Sequence, residues 1–433
     1  MSAEAAPVVV VGAGAAGLMA ALFAARAGAP VVLVEGTKDG GRKILISGGG
    51  RCNILPSSPT PRRYVTDSSP NTLRNLLMRW PLREQRAFFE RELAMPLELE
   101  PETGKLFPSS HKARDVRDGL VRRVREAGAK TWFGTRVVDV TPIDPSVGPG
   151  AGWEGEAGGP DKSRRARWRV ALSGAPPIEA GAVVIATGGL SVPATGSDGF
   201  GLHLARQLGL TVHTTYPALT PLTADPHPHA ELSGVSLEVT IRAPDAEPSF
   251  ETEGGFLFTH RGWSGPTVLD ASHLAIRGRA DGSRQELLVA WNAAGAGAWD
   301  ERLGPGSGTV RTALSDHLPR RLGDMLLAET GVPEGTPLAQ LRREQRLALV
   351  EAITAYRLPW TGDEGYKKAE VTGGGVSLGE VVPLTMETKK HSGLFLCGEV
   401  LDAFGPIGGH NFMWAWSTGR TAGESAAERA LAG

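Results

Sequence analysis

Three glycines and one carboxylate near the start of the chain have the spacing of a nucleotide-binding site. Gly12, Gly14 and Gly17 follow the pattern GxGxxG. Glycines so spaced permit a tight turn, bring the backbone close to a pyrophosphate and let a helix pack closely on a strand. Glu35, 18 positions after the last glycine, can accept hydrogen bonds from ribose hydroxyls and would repel a 2′-phosphate. Together these residues predict a dinucleotide-binding site.

A strand, a helix and a second strand are needed to position these residues. Val8–Val11 and Val31–Val34 are β-branched runs of the kind found in strands that are buried on both faces. The Ala- and Leu-rich segment between them predicts a helix, and Ala15 and Ala16 belong to the predicted phosphate-binding turn. Gly28 is typical of a residue that ends a helix. The alternative is a glycine-rich turn in an ordinary βαβ unit.

The same segment is long enough to resemble a membrane helix, since residues 5–25 carry no charge. The central glycines, and Pro7 ahead of the valines, favour the strand and helix instead. A signal peptide begins with basic residues, whereas Glu4 is the only charged side chain ahead of this segment. We therefore expect a soluble, cytoplasmic protein with no membrane-spanning or targeting segment.

A second glycine-rich stretch, GGRKILISGGGRCN, follows the second predicted strand. Three consecutive glycines do not form a stable helix or strand, but they suit a backbone that lies against a flat ligand or binds an anion through its N–H groups. The predicted cofactor-binding residues of this stretch are Gly41, Arg42, Lys43, Ser47, Gly49, Arg51 and Asn53. The alternative is a flexible surface loop. We expect Cys52 to be a packed residue rather than a nucleophile.

Together with Glu35 and the first glycine motif, this stretch resembles the HI0933-like flavoprotein family, also called the BaiN-like NAD(P)/FAD-dependent oxidoreductases. The resemblance implies an α/β fold with a Rossmann-like domain that binds FAD. The sequence has no strong signal for covalent attachment, so we expect FAD to be held noncovalently. The resemblance also implies hydride transfer through the flavin N5 atom, with NAD(P)H as the electron donor. The implied reaction is the reduction of a conjugated C=C bond in a hydrophobic small molecule.

Two later motifs extend the resemblance along the chain. AVVIATGG resembles the second FAD motif, and a backbone group near Val137 is implied to contact the adenine. The C-terminal string GEVLDAFGPIGGHN resembles the third FAD motif, in which an acid binds the ribityl chain and the next helix points its N-terminus at the flavin. The residues implied by these two motifs are Thr187, Gly188, Gly189, Gly398, Glu399, Asp402, Gly408, Gly409, His410 and Asn411.

The pattern changes between these motifs, where short strands with proline punctuation are followed by helical segments. We predict a FAD-binding domain split between residues 1–190 and 371–433, with an inserted α+β substrate domain at 191–370. The inserted part has no second GxGxxG preceded by a strand, so it is not predicted to be a separate NAD(P)-binding domain. Residues 142–160 are predicted to form a loop between two strands of the first domain.

Three residues are candidates for the chemistry itself. His260, in the string FTHRGWSGP, is a candidate proton donor, although a lone histidine is more often structural. Arg51 and His410 are the other candidates. The family often has tyrosine where His410 stands, and an imidazole near the flavin would alter its proton chemistry.

The composition excludes several other classes of protein. The chain has 46 basic and 47 acidic residues, a net charge of −1, which gives no overall attraction to nucleic acid or anionic membranes. Cys52 and Cys397 are far apart, so neither a zinc ribbon nor a CxxC redox pair is expected, and no metal site is predicted. We expect a small-molecule substrate, and the oligomeric state stays open. The alternatives are a flavoprotein that acts on tRNA or another nucleic acid and a flavin redox sensor without turnover.

Overall fold

The computed structural model describes residues 6–143, 168–280, 282–283 and 285–432. The predicted loop at 142–160 lies, from residue 144 on, outside the described residues. The helices are α1 (Ala15–Arg26), α2 (Arg42–Ile46), α3 (Pro70–Met78), α4 (Leu82–Ala87), α5 (Ala113–Glu126), α6 (Phe200–Gln207), α7 (Pro266–Ala280), α8 (Ala296–Arg302), α9 (Val310–Ser315), α10 (Arg320–Glu329), α11 (Arg343–Thr354) and α12 (His410–Leu431). The strands are β1 (Val8–Val11), β2 (Val31–Glu35), β3 (Leu55–Pro56), β4 (Leu97–Glu100), β5 (Lys105–Pro108), β6 (Lys130–Phe133), β7 (Val137–Pro142), β8 (Trp168–Leu172), β9 (Ala175–Ala180), β10 (Ala182–Ile185), β11 (Val212–Ala218), β12 (Leu222–Thr223), β13 (Ser236–Ala243), β14 (Phe250–Phe258), β15 (Gly262–Ser264), β16 (Leu288–Ala290), β17 (Tyr356–Arg357), β18 (Gly362–Asp363), β19 (Val371–Val376) and β20 (Leu394–Leu396).

A parallel five-stranded sheet organises the N-terminal part of the chain. Its strand order is β20-β10-β1-β2-β6, and every neighbouring pair in it is parallel. All four valines of β1 are buried, which is the expected pattern for a central strand covered on both faces. The carboxyl ends of parallel strands lie at one edge of a sheet. The turns after β1, β10 and β20, which carry the first glycine motif and the two later motifs, therefore all leave the sheet at the same edge.

Helices α1 and α12 pack on this sheet and on each other. Their backbones touch, because a Cβ on Gly419 would overlap the carbonyl oxygen of Ala16 and a Cβ on Gly423 would overlap that of Ala20. Small residues on both helices allow this close approach. The long C-terminal helix is thus held against the helix that follows the first glycine motif.

The chain forms two compact units, 1–215 together with 371–433, and 216–370. The first unit has its hydrophobic core around the parallel sheet. The second has a separate core beneath a seven-stranded sheet of order β17-β16-β13-β14-β15-β12-β18, in which the strands are antiparallel. Aromatic residues such as Trp263 and Trp291 are fully buried in that second core.

The first boundary between the units lies after residue 215, whereas the sequence-based boundary lies after residue 190. The segment between these two positions contains α6 and the start of β11. Leu202, Leu204 and Leu210 are buried in the core of the first unit. This segment is therefore a layer of the first unit rather than the start of the insertion.

The contact between α1 and α12 gives a stability prediction. Gly423→Ala should destabilise the first unit by about 1–3 kcal/mol, because the added methyl group overlaps a backbone oxygen that cannot move away. The free energy of unfolding in urea, followed by circular dichroism, measures the effect.

The matched control is the same substitution in α5. A Cβ on Gly119 would meet the Met95 Cε atom at 3.6 Å, an ordinary contact. Gly119→Ala should leave stability unchanged or raise it by about 0.5–1 kcal/mol, since alanine favours helix. Equal destabilisation by both substitutions would contradict the proposed backbone contact.

Candidate functional site

The first glycine turn is tight where it meets protein and open where a ligand is expected. Gly12 has a φ of +98°, and a Cβ on it would lie 2.7 Å from the Ala186 carbonyl oxygen. A Cβ on Gly17 would overlap the carbonyl oxygen of Gly12. At Gly14, by contrast, a Cβ would meet no described atom within 4 Å. The first amides of α1, which begins at Ala15, have no acceptor within the helix and suit a phosphate group.

Glu35, at the end of β2, is fixed beside this turn. Its Oε2 atom accepts a hydrogen bond from the Ala13 amide at 2.8 Å, and its Oε1 atom accepts one from the Thr37 amide at 2.7 Å. The chain returns to the same place after β6, where the Thr135 amide donates to the Glu35 carbonyl at 3.0 Å. Val137, buried at the start of β7, follows two residues later. A carboxylate held by two amides keeps lone pairs for ribose hydroxyls.

The basic turn before α2 is braced from within the protein. Gly41 has a left-handed conformation, and Arg42 binds the Asp39 carboxylate at 3.0 Å. The hydrogen bond from Arg42, and that from Arg117, hold the pKa of Asp39 below its usual value. Arg117 also donates to the Asp39 and Gly40 carbonyl oxygens at 2.9 and 3.3 Å. Arg42 is therefore already neutralised by a carboxylate in the turn.

Arg117 was not predicted from the sequence to contact this turn. It is 7% exposed and lies on the same side of α5 as Ala113, Leu120 and Val124. That helical spacing from apolar neighbours is a signal in the sequence that could have identified it.

The SGGGRCN turn has three glycines in a left-handed conformation. Gly48, Gly49 and Gly50 have φ values of 55°, 66° and 85°, and a Cβ on Gly49 would meet no described atom within 4 Å. Consecutive residues of this kind present N–H groups to a ligand. The Ser47 hydroxyl donates to the Ile44 carbonyl at 2.7 Å and so ties the start of the turn to α2.

The last three residues of this stretch face protein. The Arg51 guanidinium lies 2.9 Å from the Glu100 carboxylate and 4.2 Å from the centre of the Phe107 ring, so it is anchored on the β4–β5 hairpin. Cys52 is fully buried, and burial raises the pKa of its thiol to about 12, so it is a packed residue. Asn53, oriented by its hydrogen bonds, accepts from the Gly409 amide at 3.0 Å.

The turn after β10 carries Thr187, Gly188 and Gly189. Gly188 has a φ of 73°, and a Cβ on Gly189 would overlap the Thr372 hydroxyl. The Thr187 hydroxyl oxygen is buried and has no hydrogen-bond partner among the described residues. A buried hydroxyl in that state is a group that a ligand could satisfy.

The turn after β20 contacts the first glycine motif. Gly398 has a φ of 76°, and a Cβ on it would lie 2.7 Å from the Ala16 Cβ atom. Glu399 is 17% exposed and its Oε2 atom lies 2.6 Å from the Lys43 ammonium. The structure therefore brings together Lys43 from the second glycine stretch and Glu399 from the third motif.

Asp402 is placed differently from Glu399. Its carboxylate is buried, and its Oδ2 atom accepts hydrogen bonds from the Thr66 hydroxyl at 3.0 Å, the Asp67 amide at 2.9 Å and the Ser68 hydroxyl at 2.8 Å. The sequence did not indicate segment 66–68 as its partner. In this structure Asp402 holds that segment against the turn after β20.

The N-terminus of α12 lies against the second glycine stretch. Gly408 and Gly409 have φ values of 122° and 89°, and a Cβ on Gly409 would lie 2.6 Å from the Leu55 backbone. His410 is buried, and its carbonyl accepts a hydrogen bond from the Tyr64 hydroxyl at 2.8 Å. The Asn411 side chain pairs with both backbone groups of Gly405, at 2.8 and 3.0 Å.

His260 belongs to the second unit, where it lies exposed in the turn between β14 and β15. A different histidine is buried in that unit. His229 accepts a hydrogen bond from the Trp263 indole at 3.1 Å through Nδ1, and its Nε2 atom lies 2.8 Å from the Tyr356 hydroxyl. The sequence did not single out His229, because its burial depends on strands and helices that are distant along the chain.

Across the described residues, no helix combines the length and the apolar character that a bilayer crossing requires. The same residues hold no group of three or more His, Cys, Asp or Glu side chains arranged to bind a metal ion.

Comparisons with known proteins find relatives along nearly the whole chain. The ribosomal RNA dihydrouridine synthase of Escherichia coli (strain K12) is 32% identical over 421 residues, which cover 95% of each chain. The 3-dehydro-bile acid delta(4,6)-reductase of Clostridium scindens is 30% identical over 439 residues, which cover 97% of this chain and 98% of that protein.

A solved structure shares the fold. The 3-ketosteroid delta1-dehydrogenase from Sterolibacterium denitrificans matches with a TM-score of 0.51 and 11% identity, covering 98% of this chain and 100% of that one. The model of the HI0933-like protein Rossmann domain matches residues 6–425. The chain therefore belongs to the HI0933-like family, as its glycine motifs predict, and its α/β fold with a Rossmann-like FAD-binding domain is confirmed.

Proposed function

We propose that the protein is an FAD-dependent reductase that takes hydride from NAD(P)H and saturates a C=C bond conjugated to a carbonyl group in a hydrophobic small molecule. The observation that carries this proposal is the convergence of three glycine motifs at one edge of the parallel sheet. Two glycines there, Gly14 and Gly49, have open space where a side chain would stand. Family membership supports an FAD-dependent oxidoreductase.

The residues at this edge fit the parts of FAD. The N-terminus of α1 suits the pyrophosphate, and Glu35 suits the ribose of the adenosine half. Glu399 offers a carboxylate to the ribityl hydroxyls. The N-terminus of α12, with its positive dipole end, suits the pyrimidine side of the flavin. FAD, when bound, supplies the capacity to accept a hydride from a nicotinamide and to pass it to a substrate.

The reaction class is supported by the names of the two relatives. A dihydrouridine is a uridine whose ring C=C bond, next to a carbonyl group, has been saturated, and a delta(4,6)-reductase also acts on C=C bonds. The two named substrates differ, but the bond that changes is of the same kind. We further propose that unit 216–370 contributes the substrate-binding residues, with His260 as a candidate proton donor.

Uracil in ribosomal RNA is the second candidate substrate. The name of the Escherichia coli relative favours it, and this chain covers 95% of that protein. The net charge of −1 does not favour RNA, because binding to RNA draws strongly on Lys and Arg contacts to phosphates. We therefore place the small hydrophobic substrate first.

The proposed function predicts the absorption spectrum of the purified protein and the substrate that reoxidises its reduced flavin. Purified protein should show the visible absorption of oxidised FAD, and anaerobic NADH or NADPH should bleach it. A conjugated dienone steroid should then restore the oxidised spectrum. In a parallel assay, unmodified ribosomal RNA is the substrate, and dihydrouridine is measured by mass spectrometry.

Each outcome separates the candidates. Turnover of the steroid alone supports the first proposal, whereas dihydrouridine formation alone replaces it with the second. Flavin that neither nicotinamide bleaches contradicts the proposed donor, and a protein that takes up no FAD contradicts the cofactor assignment.

Glu35 gives a prediction for the cofactor site. Glu35→Gln should raise the dissociation constant for FAD by about tenfold, because a neutral amide is a weaker acceptor for ribose hydroxyls than a carboxylate. Quenching of flavin fluorescence measures the constant. Glu102→Gln, on an exposed turn of the same unit, is the control and should bind FAD as the wild type does. Equal affinity of the two variants would remove Glu35 from the FAD site.

His410 gives a prediction for the dependence of stability on pH. Burial, assisted by the charge of Arg63, lowers the pKa of His410 from 6.5 to about 4. The unfolded chain therefore takes up a proton at this residue below about pH 6.5 while the folded chain does not. The stabilising contribution is complete above that pH and is lost as the pH falls towards 4.

His410→Tyr removes this titration. Between about pH 6.5 and 4 the free energy of unfolding of the wild type should fall more steeply than that of the variant, by up to about 1.4 kcal/mol per pH unit. Urea unfolding at several pH values measures both slopes. His203→Tyr, at an exposed position of α6, is the control. Parallel slopes for wild type and His410→Tyr would show that His410 is protonated equally in both states.

A further inference from the structure

Four separate segments meet at the Glu399 carboxylate. The Lys43 ammonium, from α2, lies 2.6 Å from Oε2. The Ser191 hydroxyl, from the loop after β10, donates to Oε1 at 2.6 Å, and the Thr372 amide, from β19, donates to the same atom at 2.9 Å. Both oxygens of Glu399 are therefore fixed by donors from parts of the chain that are far apart in sequence. All four segments belong to the first unit.

Ser191 and Thr372 also hold each other. The Lys43 ammonium donates to the Ser191 hydroxyl at 2.6 Å, so Ser191 links the two charged groups. The Thr372 hydroxyl accepts from the amides of Leu190 and Ser191, at 2.7 and 3.1 Å. Thr372 is 1% exposed and Ser191 is fully buried. The cluster of Lys43, Ser191, Thr372 and Glu399 is thus a continuous hydrogen-bonded network, in which three donors leave the carboxylate a further lone pair.

We propose that Ser191 and Thr372 are positioning residues, which hold Glu399 ionised and aim its oxygens at the hydroxyl groups of the ribityl chain of FAD. This inference rests on the proposed function, because it assumes that FAD binds at the carboxyl edge of the sheet. Ser191 lies outside the glycine motifs, whereas Thr372 precedes the three glycines of β19. Neither was among the cofactor-binding residues predicted from the sequence. Lys43 acts in this network as the partner of a carboxylate.

The electrostatics of the cluster agree with this role. Burial alone would raise the pKa of Glu399, but the Lys43 charge, the Ser191 hydroxyl and the Thr372 amide outweigh it and hold the pKa below its usual value. Among the described residues, Lys43 is the charged group that lowers the pKa of Glu399, while the loop after β10 and β19 contribute neutral donors. Ser191→Ala removes a donor to Glu399 directly. Thr372→Val keeps its amide but removes the hydroxyl that holds the amides of Leu190 and Ser191, so the Ser191 donor is no longer fixed. In both variants the carboxylate should protonate at higher pH than in the wild type.

A protonated Glu399 would hold its cofactor less well, because one oxygen then becomes a donor and an acceptor for a ribityl hydroxyl is lost. The test measures the dissociation constant of FAD for the full chain between about pH 5 and 8, by flavin fluorescence. The variants are Ser191→Ala, Thr372→Val and Thr372→Ser, with Glu399→Gln as the reference that does not titrate.

The expected result has two parts. Ser191→Ala and Thr372→Val should weaken FAD binding about five- to tenfold near pH 8. As the pH is lowered, the affinity of these variants should begin to fall at a higher pH than the affinity of the wild type does. Thr372→Ser, which keeps the hydroxyl, should bind within about twofold of the wild type. Glu399→Gln should bind weakly at every pH.

Other outcomes would overturn the proposal. A loss of affinity that is the same at every pH would show that the two residues support the fold without acting on the ionisation of Glu399. Thr372→Ser binding as weakly as Thr372→Val would exclude a role for the hydroxyl. If Thr372→Val fails to fold, the profile of Ser191→Ala decides alone. A wild-type protein that binds no FAD would reject the proposed function. A wild-type protein that binds FAD, with variants whose pH profiles are unshifted, would reject only the positioning role.

Discussion

The parallel alignment of β1, β2, β10 and β20 is the constraint on which the rest of the first unit depends. Because these strands run in the same direction, the turns after them leave at one edge, whatever their distance along the chain. The motif at the start of the chain therefore meets the motif near its end, and Gly398 lies against Ala16. Each turn has to be narrow enough to leave room for its neighbours.

Glycines at this edge fall into two physical classes. Some, such as Gly12, Gly17 and Gly189, have protein atoms where a side chain would stand, so they exist for packing between segments. Others, such as Gly14 and Gly49, face open space. The second class leaves the backbone accessible, and the Glu35 carboxylate is fixed next to Gly14 by the amide of Ala13. A glycine in the sequence can therefore mark either close packing between segments or an accessible backbone.

Local patterns predicted the parts of the fold that local chemistry determines. The βαβ unit, the positions of the glycine turns and the packed state of Cys52 follow from residue type and spacing. The partners of charged groups did not follow, since Arg117 binds carbonyl groups at 39–40 and Asp402 binds segment 66–68. Such pairs form between segments that are distant along the chain. A single sequence does not show which residues of two such segments lie opposite each other. The boundary after residue 215 was not predicted for the same reason, because α6 packs against residues that precede and follow it in the chain, Ile185 and Val400.

The inserted unit leaves and re-enters the first unit through strands β11 and β19, which pair with each other. Their backbones are in direct contact, since a Cβ on Gly374 would overlap the carbonyl oxygen of Thr214. An insertion whose two ends emerge side by side places little demand on its host, because the host sheet closes in the same way around any domain with adjacent termini. The first unit therefore needs only two adjacent chain crossings to accommodate the whole of residues 216–370.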